Sequence, residues 1–150
     1  SSHNSSSITH IFLQAGVGGF AAAIALSLRK FLSKDSKIII VEPAQAKTLF
    51  ISLQNGKPSV AKGQVSIMGR LDCKEPSIAA FYSLSKTSNF FMHLEDDYVR
   101  KKINNLSDFG ISTSPSGGAG IAALIYANEN QLFGMNKDSS PLVFLTEGAI

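Results

Sequence analysis

Two periodicities alternate along this chain. Residues 8–14, Ile8-Thr9-His10-Ile11-Phe12-Leu13-Gln14, form a short β-prone run that ends in the glycine turn Ala15-Gly16-Val17-Gly18-Gly19. Phe20 to Leu32 follows, apolar almost all round, which predicts a heavily buried helix. From Lys37 to Val41 the branched residues Ile38-Ile39-Ile40-Val41 run without a polar break. That predicts a strand covered on both faces, as in a parallel sheet. Pro43 comes next, then a predicted helix from about Ala44 to Gln54, closed by Asn55-Gly56.

Residues 57–74 are rich in Gly, Lys and polar side chains and have no period. They predict a long ordered loop, a feature usually tied to function. Glu75-Pro76 opens a helix carrying Ile78, Ala79, Phe81, Tyr82 and Leu84, with Pro76 in the first turn. Asn89 to Leu94 predicts a strand. Glu95-Asp96-Asp97 then starts a helix whose acids lie at the positive end of the dipole, with Arg100, Lys101 and Lys102 further on. After a Ser-, Gly- and Pro-rich loop over 109–116, Gly117-Gly118-Ala119-Gly120 leads into an apolar helix through about Asn128, and Pro141 to Thr146 is the last strand. The order β-α-β-α-loop-α-β-α-loop-α-β predicts an open, mostly parallel α/β sheet with helices on both faces.

Composition narrows the picture. The length, 150 residues, is that of one ordinary domain, and 44% apolar against 17% charged residues excludes wholesale disorder. A net charge of +3 is too small to argue for a nucleic-acid partner. No apolar run approaches the roughly 18 residues of a membrane span. A single cysteine, Cys73, excludes an internal disulfide framework and a Cys-based zinc site, and fits a reducing cytoplasm. Residues 1–7, Ser1-Ser2-His3-Asn4-Ser5-Ser6-Ser7, lack an initiator Met and the apolar core of a signal peptide, and are expected to be a disordered leader or remnant. Residues 8–150 are expected to form a single α/β cofactor-binding domain. Because the last strand runs into Thr146-Glu147-Gly148, the chain is expected to be a fragment of a longer enzyme.

The chemistry concentrates at the glycine turn. Gly16-Val17-Gly18-Gly19 sits between a strand and a helix, where residues without Cβ let the backbone approach a ligand. The amides there, and that of Phe20 at the helix start, suit an anion. Two cofactors fit. Gly16-Val17-Gly18-Gly19-Phe20-Ala21 satisfies the dinucleotide pattern G-x-G-x-x-G/A, and Glu42 ends the next strand near the position of a ribose ligand. Against a dinucleotide, Gln14 stands where an apolar residue is usual, and Pro43 constrains Glu42 to extended geometry. A second glycine site, Ser114-Pro115-Ser116-Gly117-Gly118-Ala119-Gly120, is either a plain helix cap by Ser116 or a subsite for a polar ring atom. A dinucleotide does not need it; an aromatic cofactor with one phosphate uses both.

Five stretches carry a family resemblance: Thr9 to Ala22 around the glycine turn, Ile40-Val41-Glu42-Pro43, Ile67-Met68-Gly69-Arg70-Leu71-Asp72-Cys73-Lys74-Glu75-Pro76-Ser77, Ser116-Gly117, and Thr146-Glu147-Gly148. In this order they resemble the diaminopropionate ammonia-lyases, within the tryptophan-synthase-β-like, fold-type-II group of pyridoxal-phosphate enzymes. The glycine turn and Val-Glu-Pro are shared with serine and threonine dehydratases; the stretch from Ile67 to Ser77 is the more specific. The resemblance implies pyridoxal 5'-phosphate as cofactor, an amino-acid substrate, conversion of 2,3-diaminopropionate to pyruvate and ammonia, and a homodimer in the full-length enzyme. It implies that Gly16, Val17, Gly18, Gly19 and Phe20 hold the phosphate and that Ser116 meets the pyridine nitrogen. A neutral hydroxyl there moderates the electron sink, which suits β-elimination. In related dehydratases a cation is bound at positions matching Glu42, Ala46 and Thr48; Thr48 replaces an acid, so no metal site is expected.

One expected element is missing. In this group the Schiff-base lysine lies upstream of the glycine turn, yet no Lys precedes His10. No catalytic residue is therefore assigned to this chain, which is expected to be inert alone. His10 and His93 are expected to be packing histidines, Asp96-Asp97 a helix start, and Lys30, Lys34 and Lys37 a solvated basic face. A dinucleotide-binding oxidoreductase domain and a non-catalytic α/β interaction module remain as rival readings.

Overall fold

Parallel strands need a crossover between them, and here helices supply each one. In the computed structural model, which describes residues 7–148, β1 (His10–Gln14) leads through α1 (Gly19–Leu28) to β2 (Lys37–Pro43). The chain continues through α2 (Thr48–Asn55) and α3 (Ile78–Thr87) to β3 (Phe90–Leu94). It then passes α4 (Asp96–Ser107) and α5 (Ala119–Glu129) to β4 (Pro141–Val143). The spatial order is β3-β2-β1-β4, every pair parallel. The expected leader over 1–7 lies, except for Ser7, outside the described residues.

The unbroken Ile38–Val41 run serves two cores. Ile38 and Ile40 face α1 and α3 together with Ile11, Leu13, Ala21, Ala25 and Leu84. Ile39 and Val41 face α4 and α5 with Phe12, Val99, Ala119 and Ala123. Register follows, with Ile11 beside Ile38 and Leu13 beside Ile40. A one-residue slip would exchange the two cores.

Several boundaries differ from the sequence expectation, each for a local reason. Helix α1 ends at Leu28; beyond it Phe31 N–H bonds Leu28 C=O in a tighter turn. It is also less buried than its composition predicts, with Phe20 44% and Leu26 54% exposed, because Ala21, Ala22 and Ala25 supply the packed face. Helix α2 starts at Thr48, where the buried Glu42 carboxylate accepts the N–H groups of Leu49 (2.7 Å) and Phe50 (3.2 Å). Helix α3 starts after Ser77, whose hydroxyl accepts Ala80 N–H at 3.2 Å, so Pro76 lies before the cap and not in the first turn. Strand β4 ends at Val143, because Phe144 C=O turns to the Gln14 side chain.

The segment between α2 and α3 is an ordered loop, as its composition predicts. Ala61 N–H bonds Lys74 C=O at 2.8 Å, Lys74 Nζ donates to the carbonyls of Gln45 and Gln64, and Met68 is fully buried.

Candidate cofactor site

Strand β1 pairs with β2 on one side and β4 on the other, so the strand order reverses at β1. In open α/β sheets the crevice at the carboxyl ends beside such a reversal is where ligands bind. A cavity of about 530 Å³ lies there, lined by the loop after β1, the loop after β4, and Arg70, Leu71 and Cys73 from the long loop. Phe20 and Phe144 meet edge to face across it, with centroids 6.0 Å apart.

The glycine turn is built to present amides. Its carbonyls are engaged by protein: Val17 C=O accepts Ser77 N–H at 2.9 Å and Gly18 C=O accepts Ala22 N–H at 2.8 Å. Among the described residues, no protein acceptor takes an N–H group from Gly16 through Phe20. Val17, Gly19 and Phe20 are exposed. Unpaired donors at the positive end of a helix make a site for an anion.

Two glycines are required by geometry. At Gly18, φ is +101°, and a Cβ would stand 2.9 Å from the Ala80 Cβ. At Gly16, a Cβ would stand 2.8 Å from Arg70 C=O and 3.0 Å from Cys73 Sγ, so the turn and the long loop touch only because the side chain is absent. Gly19 borders open space.

Ser116 is 5% exposed and does not cap α5; Gly118 holds that position, and Ser114 Oγ takes Gly117 N–H at 2.9 Å. The Ser116 oxygen accepts Arg70 N–H at 3.1 Å. A hydroxyl has one proton to give besides the lone pairs it offers. With its oxygen accepting from Arg70, the Ser116 proton has no protein acceptor among the described residues. The five uncommitted amides, the tight glycines and this hydroxyl fit a ligand with a phosphate at one end and an acceptor atom at the other.

Three features of the site were missed in the sequence. Arg70 Nε pairs with Glu147 at 2.6 Å, which ties the long loop to the segment after β4. Glu42, a candidate ribose or cation ligand, is spent on the start of α2, and Thr48 donates its hydroxyl to Cys73 C=O. Gln14 is 3% exposed and donates to three acceptors from two loops. Its polarity at the end of an apolar strand was the visible signal.

The lone residues fall mostly as expected. His10 is buried, with Nε2 2.8 Å from Phe133 C=O. His93 packs edge-on against Phe50, its Nε2 3.6 Å from Glu42. Asp96 accepts Ser66 Oγ–H and Ile67 N–H at the start of α4. Lys30 and Lys34 are exposed, whereas Lys37 is half-buried and donates to Phe133 C=O at 2.8 Å.

Fold and site together define a parallel α/β unit with a crevice and a row of unpaired amides at the switch point. The chain belongs to the pyridoxal-phosphate dependent enzyme family, whose pattern it matches over residues 2–147. It is 34% identical over 102 residues to a diaminopropionate ammonia-lyase of Salmonella typhimurium, covering 65% of this chain and 25% of that protein. It is 30% identical over 154 aligned positions to the diaminopropionate ammonia-lyase of Escherichia coli K12, covering 93% of this chain and 39% of that protein. The chain thus spans well under half the length of these relatives. The processed form of threonine deaminase isoform 2 from Solanum lycopersicum shares the fold, with a TM-score of 0.84 at 21% identity over 96% of this chain and 39% of that one. These likenesses agree with the fold-type-II architecture, and the family's cofactor is pyridoxal phosphate. No described helix is long and apolar enough to cross a membrane.

Proposed function

We propose that the chain is the phosphate- and ring-binding half of a pyridoxal-phosphate-dependent ammonia-lyase acting on 2,3-diaminopropionate. The observation that carries this reading is the set of free amides from Gly16 to Phe20, which shares its long-loop neighbour Arg70 with the Ser116 hydroxyl. The amides bind the phosphate. Ser116 donates to the ring nitrogen and, being neutral, leaves it unprotonated. Phe20 and Phe144 wall the pocket. Pyridoxal phosphate, when bound, supplies the electron sink for α-proton removal and loss of the β-amino group. Overall, one diaminopropionate and one water give one pyruvate and two ammonia.

The substrate rests on the named relatives and on the stretch from Ile67 to Ser77, which the structure sets against the pocket through Arg70, Leu71 and Cys73. A homodimer and a cytoplasmic location belong to the same reading. Ammonia release from 2,3-diaminopropionate, with chain and cofactor mixed, is expected to equal that with cofactor alone. Turnover above that level would overturn that expectation.

A further inference from the structure

Gln14 closes β1 two positions before the free amides begin at Gly16, and its side chain links that strand to both the segment after β4 and the loop before α5. Its Nε2 donates to Phe144 C=O at 2.9 Å, Thr146 Oγ1 at 3.2 Å and Gly117 C=O at 3.3 Å. Gly117 is the residue after Ser116, and its carbonyl is also approached by Thr146 N–H at 3.5 Å. The amide orientation is set by the two carbonyls, since turning it over would aim its oxygen at Phe144 C=O and Gly117 C=O. Oε1 is left buried without a hydrogen-bond partner, one of two such side-chain atoms among the described residues. Burying an unpaired acceptor is costly, and such a group in a folded protein calls for an explanation. An apolar residue would complete this strand more cheaply. What the amide adds is two N–H groups shared among three acceptors, reaching across the pocket floor.

We propose that Gln14 is a positioning residue that fixes the distance between the phosphate-binding amides and the Ser116 hydroxyl, so that one rigid cofactor reaches both. This rests on the cofactor reading above. Rigid spacing matters because two subsites reinforce each other only when a single ligand spans them without strain. Gly120 belongs to the same device: a Cβ there would stand 2.8 Å from Gln14 Oε1.

The test compares two probes, inorganic phosphate and pyridoxal 5'-phosphate, on the chain and on Gln14→Met, with thermal unfolding alongside. Phosphate occupies the amides alone; the cofactor needs both subsites. In Gln14→Met, phosphate affinity is expected to stay within twofold while pyridoxal 5'-phosphate weakens tenfold or more. Gly120→Ala, which displaces the amide but keeps its chemistry, is expected to reproduce the split, although alanine in a helix otherwise favours folding. Equal weakening of both probes would mark general loosening and overturn the proposal, as would unchanged affinity for both. A parent chain that binds neither probe would instead overturn the cofactor reading, and this proposal with it.

Discussion

Arg70 N–H donates to Ser116 Oγ at 3.1 Å, while the carbonyl of the same residue packs where a side chain on Gly16 would have to stand. One residue of the long loop, through its two flanking peptides, therefore touches both halves of the site. The guanidinium adds a third tie by pairing with Glu147 beyond β4. The stretch from Ile67 to Ser77 is thus a strut between the two subsites, which gives a physical reason for its specific sequence.

Gly18 and Gly19 are adjacent but should respond oppositely to substitution. Gly18→Ala places a Cβ at φ +101° and 2.9 Å from Ala80. A strained backbone of this kind costs about 1–3 kcal/mol, so chemical denaturation is expected to show a loss of that order or more.

Gly19→Asp adds a side chain that meets nothing within 4 Å, at the first position of α1. A carboxylate at a helix N-terminus is favourable by about 0.3–1 kcal/mol, so unfolding is expected to be unchanged or slightly harder. Phosphate binding, measured by calorimetry, is expected to be lost by charge repulsion. Retained phosphate binding would place the anion elsewhere.

Glu42→Gln tests the role of the buried acid. The carboxylate is fully buried and accepts two N–H groups at the start of α2. Glutamine keeps the shape but turns one acceptor into a donor facing a donor, at an expected cost of about 1–3 kcal/mol in denaturant unfolding. Affinity for pyridoxal 5'-phosphate is expected to be unchanged. A large loss of cofactor affinity without loss of stability would reverse this assignment.

Much of this molecule was legible in the sequence because its signals are local. The Ile38–Val41 run states that both sheet faces are covered, and Asn55-Gly56 states a helix end, which Gly56 makes at φ +67°. The glycine turn announces free amides because only a few backbone arrangements need so many glycines together. Illegible features depend on partners distant along the chain. Glu42 looks like a ribose ligand until the folded position of Leu49 and Phe50 is known. Gln14 reads as a flaw in a strand until Gly117, Phe144 and Thr146 arrive, more than 100 residues later. The rivalry between dinucleotide and pyridoxal phosphate could not be settled by spacing, since both use the same strand–turn–helix. It turns on where the carboxylate of Glu42 goes and on whether a second subsite stands opposite.

The most direct measurement is a fluorescence titration of the chain with pyridoxal 5'-phosphate, repeated with inorganic phosphate as competitor, beside a titration with NAD. Saturable cofactor binding that phosphate displaces, with no binding of NAD, is the result expected if the amides from Gly16 to Phe20 grip a single phosphoryl group. NAD binding, or cofactor binding indifferent to phosphate, would contradict it.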